Sequence, residues 1–288
     1  MHRRSRTRRH GRDDLQLRHA EKESHKVTEP TPEAQYTFRR RGGDALRPDV
    51  RLYANIVKGG LLALSRRNWS GMEHIPLKGP AILVWNHYSD IDPMLVVHYV
   101  YNAGRHPRFL LKESILRVPV IGPLVRSTGQ IPVKRGSAEA ADSLRILAEE
   151  LGKGHVVIMS PEGTVTKEPD HWPMRGKTGV ARLALESGAP VIPVVQWGAL
   201  AIHDRRRDPK FKMGRKPVTV RALPAVDLDE WRGNEITREA LAAVTDRIME
   251  SLREGLAEIR GESAPPLFDP RQHRREEQSS HEESEPTE

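Results

Sequence analysis

The chain has 288 residues, a formal net charge of +8 and no Cys. That length suits one large domain or two small ones, and the missing Cys excludes disulfides, Cys-ligated zinc, iron–sulfur clusters and a catalytic thiol. The basic surplus favours polyanions: nucleic acid, anionic lipid or phosphorylated small molecules.

Residues 1–46 hold 12 basic and 7 acidic side chains and almost no large apolar ones. This composition predicts a disordered basic arm. Its arginine cluster, Arg3 to Arg12, is not followed by an apolar h-region, so no secretory signal is expected. Residues 265–288 are read as a disordered acidic tail. The globular part therefore runs over 47–264.

A helix is predicted over Pro48 to Arg67. Tyr53, Ile56, Val57, Gly60, Leu61 and Leu64 recur at three- and four-residue spacing, with Arg51, Asn55 and Lys58 on another face. An amphipathic helix with basic flanks suits a membrane interface, and equally a helix packed on a sheet. From Ala81 onward short apolar runs alternate with helical patterns. The predicted strands are Ala81–Trp85, Arg108–Lys112, Gln130–Lys134, His155–Ser160, Val191–Trp197 and Val218–Leu223. The predicted helices are Pro93–Tyr101, Ala138–Leu151, Lys177–Ser187 and Thr237–Ile259. Ser137 and Thr237 are the expected N-caps, and Gly152 and Gly188 the expected stops. The alternation predicts an α/β fold with a mixed, largely parallel central sheet flanked by helices. Ligands in such sheets gather beyond the carboxyl ends of the strands. The longest run without a charged or His side chain, Ser187–Ile202, spans 16 residues and carries two prolines. A membrane span needs about 20 apolar residues, so this run reads as core.

Four short blocks carry chemistry. After the first apolar strand comes Asn86-His87-Tyr88-Ser89-Asp90-Ile91-Asp92-Pro93. His87 is a candidate base and Asp92 a candidate orienter of its ring. A continuous helix would set residues five apart about 140° from each other, so a turn must join them. The same residues also fit a plain reading, with Asp92 capping a helix that opens at Pro93. A metal reading of His87, Asp90 and Asp92 lacks a further cluster to complete it. The second block, Gly129 to Arg135, ends in two cations, Lys134 and Arg135, suited to a phosphate. The third, Ser160-Pro161-Glu162-Gly163-Thr164, is a tight turn after an apolar strand, where glycine lets a ligand approach the backbone. The fourth feature is Lys177, at the start of a predicted helix near the mouth of the sheet.

In this order and spacing the blocks resemble the glycerolipid acyltransferases of the 1-acyl-sn-glycerol-3-phosphate acyltransferase type. Asn86, His87 and Asp92 meet the pattern N-H-x-x-x-x-D, and Gly129 and Arg135 meet G-x-x-x-x-x-R. Pro161 to Thr164 meet P-E-G-T, and Val191-Ile192-Pro193-Val194 is similar to an apolar block with a central proline. The resemblance covers roughly Asn68 to Leu223.

It implies transfer of a fatty acyl group from acyl-CoA or acyl carrier protein to the free hydroxyl of lysophosphatidate or a related lysophospholipid. No metal or other cofactor is implied. His87 would be the general base and Asp92 its orienter. Asn86, Ser89, Lys134, Arg135, Glu162, Gly163, Thr164 and Lys177 would bind substrate, with Arg135 on the phosphate. Two positions depart from the pattern. Ser160 stands where an aromatic is common, and Val165 where an Arg is common, which bears on acceptor identity more than on reaction type. The expected partners are a membrane lipid surface and the acyl carrier, and the expected location is the cytoplasmic face of the cell membrane, without a span. The rival readings are a non-catalytic lipid-binding relative and a nucleic-acid-binding protein. The latter finds little support in 5% aromatic residues and no recognised nucleic-acid motif.

Overall fold

In the computed structural model, which describes residues 48–117, 122, 130–133, 138–208 and 210–273, helices and strands alternate. They run α1 (Pro48–Leu64), β1 (Ser65–Ser70), β2 (Ala81–Trp85), α2 (Asp92–Asn102), β3 (Pro107–Lys112), β4 (Ile131–Val133) and α3 (Ala138–Gly152). Then follow β5 (Val156–Met159), α4 (Gly179–Ser187), β6 (Val191–Trp197), β7 (Lys216–Ala222) and α5 (Arg238–Arg260). The described strands form one seven-stranded sheet in the order β1-β7-β6-β2-β5-β3-β4. Every neighbouring pair is parallel except β6 and β7. The fold is thus α/β with a mixed, largely parallel sheet.

The central strands are apolar throughout because both of their faces are covered. In β2, Ala81, Leu83 and Trp85 face one core layer and Ile82 and Val84 the other. The first layer holds Leu95, Val96 and Tyr99 of α2, with Leu61 of α1 at its edge. The second holds Leu147 of α3, Val180 and Leu183 of α4, and Leu241, Val244, Ile248, Leu252 and Leu256 of α5. Each large aliphatic side chain buried in this way contributes about 1.5–3 kcal/mol of transfer free energy. Thr237 caps α5, its hydroxyl accepting the Ala240 amide at 3.1 Å. Gly188 ends α4 in the left-handed conformation expected of a stop.

Two stretches differ from the sequence expectation. The predicted helix 48–67 ends at Leu64, where the Ser65 hydroxyl returns to the Leu61 carbonyl at 2.6 Å. Residues 65–70 are instead an edge strand beside β7, with Arg67 opposite Val218 and Trp69 opposite Val220. In α1, Leu61 is buried, whereas Leu52 and Ile56 are 61% and 62% exposed. The second difference is the start of the C-terminal tail. Residues 265–273 are not loose. Arg175 donates its amide to the Phe268 carbonyl at 2.8 Å, and Arg253 donates to the Ala264 and Pro265 carbonyls. The basic arm 1–46 and the remaining tail lie outside the described residues. Among the described residues no helix is long and apolar enough to cross a membrane.

Candidate active site

Strands β2 and β5 are parallel neighbours, with Val84 opposite Met159. The first and third blocks follow them directly, so both emerge at the same edge of the sheet. There the chain turns after Trp85, and His87 Nδ1 meets Asp92 Oδ2 at 3.2 Å. The same carboxylate oxygen accepts the Tyr88 amide at 2.6 Å and the Ser89 amide at 2.8 Å. Asp92 is therefore not the forward-facing cap that the sequence suggested. It lies in the first turn of α2, and its carboxylate reaches back to hold the turn that carries His87. Asp92 is fully buried, while 16% of the His87 side chain is exposed. Burial raises the Asp92 carboxyl from its ordinary range, and the hydrogen bonds from His87, Ser89 and Tyr88 oppose that rise.

The backbone of His87 is held as firmly as its ring. Its amide donates to Glu162 Oε1 at 3.1 Å, and its carbonyl accepts the Thr166 amide at 2.7 Å. Glu162 is 1% exposed, and its other oxygen accepts the Met174 amide at 3.1 Å. Burial pushes its carboxyl up to about 7. Glu162, read from sequence as a substrate-binding residue, faces backbone amides with both oxygens. Asn86 and Ser89 are turned into the fold in the same way. Asn86 pairs with the backbone of Gln196 in β6, donating to its carbonyl at 3.0 Å and accepting its amide at 2.9 Å. The Ser89 hydroxyl donates to the His203 carbonyl at 2.8 Å.

His87, Gly163, Thr164 and Lys177 remain at the mouth, and the last three are exposed. Gly163 has φ +69°, a conformation L side chains rarely adopt. A methyl group there would lie 2.9 Å from Lys177 Nζ, so the lysine side chain runs across the bare face of the turn. The Lys177 amide also donates to the Pro161 carbonyl at 2.9 Å, which ties the two blocks together. Gly129, Lys134 and Arg135 lie outside the described residues.

A solvent-touching imidazole oriented by a buried carboxylate, beside a glycine turn crossed by a lysine, is an arrangement for proton abstraction next to an anion. Against known proteins, the acyltransferase family profile matches residues 66–197. Over those residues the chain is similar to that family. The chain is 30% identical over 171 residues to a 1-acyl-sn-glycerol-3-phosphate acyltransferase of Limnanthes douglasii, covering 58% of this chain and 56% of that protein. It is 30% identical over 192 residues to the Limnanthes alba protein of the same name, covering 64% of each. The chain thus spans between about half and two thirds of the length of these relatives. The crystal structure of the 1-acyl-sn-glycerophosphate acyltransferase PlsC from Thermotoga maritima superposes with a TM-score of 0.56 at 24% identity, covering 75% of this chain and 81% of that one. That likeness speaks for the fold.

Several residues that frame the mouth have no signal in the sequence. Gln196 is fully buried 110 positions from its partner Asn86. The Arg206 guanidinium donates to the Glu168 carbonyl at 2.8 Å and to the Thr166 carbonyl, just beyond Val165. Asp90 faces His203 Nε2 and Arg205 Nη1, each at 3.6 Å. Tyr88 is buried against Trp197, ring centroids 5.1 Å apart, and its oxygen accepts the Ala199 amide at 3.1 Å. Such partners are chosen by the sheet, not by local pattern.

Proposed function

We propose that the protein transfers a fatty acyl group from an acyl thioester to the free hydroxyl of lysophosphatidate or a related lysophospholipid, forming a phosphatidate-type product. The observation that carries this reading is the His87–Asp92 contact at 3.2 Å, with the ring at the surface and the carboxylate buried. The names of the two Limnanthes relatives support the acceptor class.

With Nδ1 given to Asp92, Nε2 is the ring nitrogen left for the acceptor. It takes the hydroxyl proton as the oxygen attacks the thioester carbonyl carbon. The tetrahedral intermediate collapses, the carbon–sulfur bond breaks, and the imidazolium returns its proton to the departing sulfur. Asp92 holds the ring and stabilises its charged form. Lys177 and the glycine turn at Gly163 and Thr164 hold the acceptor phosphate, together with Lys134 and Arg135 of the second block. The acyl thioester, on CoA or acyl carrier protein, is a co-substrate, and the chemistry draws on no cofactor. The acceptor is an amphiphile, so the protein works peripherally at a membrane surface.

The test is purified protein with long-chain acyl-CoA or acyl carrier protein thioesters and a panel of lysophospholipids, following thiol release and acylated product. Lysophosphatidate-dependent product that falls by about 10²–10⁴-fold in His87→Ala is the expected result. Product only with a different acceptor keeps the chemistry and replaces the substrate. Thiol release unaffected by His87→Ala, or no transfer with any pair, overturns the proposal.

A further inference from the structure

Between β6 and β7 the chain carries Asp204-Arg205-Arg206-Arg207-Asp208, then Lys210-Phe211-Lys212-Met213-Gly214-Arg215-Lys216. Residues 204–216 hold seven basic and two acidic side chains. Arg205, Arg207, Lys210, Lys212 and Arg215 are all exposed, the first two with 79% and 81% of the side chain in solvent. Two large apolar side chains stand among them, Phe211 at 56% and Met213 at 77% exposure. Apolar groups left in water inside a strongly cationic loop are not explained by folding, which has buried most other large apolar side chains.

The loop is ordered rather than slack. The Asp208 amide donates to the Asp204 carbonyl and the Lys212 amide to the Ile202 carbonyl, both at 2.8 Å. The Phe211 ring stacks on His203, centroids 4.5 Å apart and planes 9° from parallel. Its base is fastened to both walls of the candidate active site. Ser89 donates to the His203 carbonyl, Asp90 faces His203 and Arg205, and Arg206 bonds the Thr166 and Glu168 carbonyls. Whatever the loop binds is therefore held beside His87.

We infer that this loop is a docking surface for an anionic lipid bilayer, its cations lying over the headgroups and Phe211 and Met213 entering the interface. Positive charge draws it to acidic lipid, and the apolar pair distinguishes a bilayer from a purely polyanionic partner. Docking there sets the His87 mouth against the surface from which a lysolipid arrives. The inference rests on the proposed acceptor being a membrane lipid, but the docking is measured without turnover.

The full chain is sedimented with vesicles of phosphatidylcholine alone and of phosphatidylcholine with one quarter phosphatidylglycerol. Binding to the mixed vesicles only is expected. Each basic residue near an acidic surface is worth roughly fivefold in partitioning. Lys210→Gln/Lys212→Gln/Arg215→Gln should therefore weaken vesicle binding by about 100-fold. Phe211→Ser/Met213→Ser should abolish the binding that survives at high salt. Both variants should melt like the parent and keep turnover of a short-chain, monodisperse acceptor. Vesicle binding unchanged in both variants overturns the inference, as does equal binding to the two lipid mixtures. Loss of DNA binding without loss of vesicle binding assigns the loop to nucleic acid and also overturns it. Vesicle binding lost in the variants while no acceptor is ever acylated leaves the docking surface standing and removes the proposed reaction.

Discussion

Glu162 receives the backbone amide of His87 at 3.1 Å, and so carries the His87 turn on the neighbouring strand's loop. With its second oxygen on the Met174 amide and a further hydrogen bond from the Thr166 side chain, it ties the His87 turn to the segment that follows β5. Glu162→Gln keeps the size but offers one acceptor for two amides. A displaced base loses rate steeply, about 10²-fold for a shift on the order of 1 Å. We expect kcat to fall by about 10–100-fold with little change in the acceptor KM. A raised KM at constant kcat would instead make Glu162 a substrate contact.

Two buried groups give opposite pH dependences. The Glu162 carboxyl is raised by burial from 4.5 to about 7, so its contribution to stability is complete below pH 4.5 and is lost as pH rises through 7. His98 is lowered from 6.5 to about 4 by burial, then by Arg67 and Lys58, and neither of its ring nitrogens has a hydrogen-bond partner. Its contribution is complete above pH 6.5 and is lost as pH falls through about 4. Each is worth roughly 3 kcal/mol at about 1.4 kcal/mol per pKa unit, and the two slopes oppose between pH 4.5 and 6.5. Thermal melts of the parent should change little there. Glu162→Gln should lose stability on acidification, and His98→Phe should gain it. Parallel profiles for the two variants would refute this account.

What the sequence disclosed follows what is local. Ala81–Trp85 and Val191–Trp197 match β2 and β6 because strands buried on both faces are uninterrupted apolar runs. Ser65–Ser70 has no such run. It becomes a strand because β7, some 150 positions on, offers an edge, and the helical reading ran on into it as far as Arg67. The His87–Asp92 pair was legible because five residues and a proline make one turn. The inward roles of Asn86, Ser89 and Glu162 were not, because their partners are backbone groups, which no side-chain pattern announces. The ordered start of the tail was hidden for the same reason, since Phe268 and Pro265 engage through their carbonyls.

The bare face of Gly163 leaves room for Lys177. Gly163→Ala adds a methyl 2.9 Å from Nζ on a backbone with φ +69°. The lysine end swings away easily, and the strained backbone costs about 1 kcal/mol. We expect a modest drop in melting temperature and a rise of about tenfold in acceptor KM, comparable to losing a charge-assisted hydrogen bond. Lys177→Met should raise KM by a similar factor without the thermal loss. If Gly163→Ala leaves KM at the parent value, the lysine does not serve the acceptor.

The C-terminal segment braces the same turn from outside. Met174, whose amide Glu162 holds, pairs in parallel with Phe268, and Arg175 donates to the Phe268 carbonyl at 2.8 Å. The Arg175–Asp269 ion pair at 3.2 Å is partly exposed and is worth about 0–1 kcal/mol. Ending the chain at Ser263 removes all three contacts, together with the two carbonyls that Arg253 binds. Asp269→Ala removes the ion pair and the carboxylate's hydrogen bond from the Arg271 amide, and leaves the Met174–Phe268 pairing and the Arg253 contacts in place. The truncation should therefore lower both melting temperature and kcat, the latter by about tenfold through Met174, Glu162 and His87. Asp269→Ala should leave kcat unchanged and shift stability by less than about 1 kcal/mol. A truncated chain with parental kcat would show that Met174 and Glu162 keep their places without the strap.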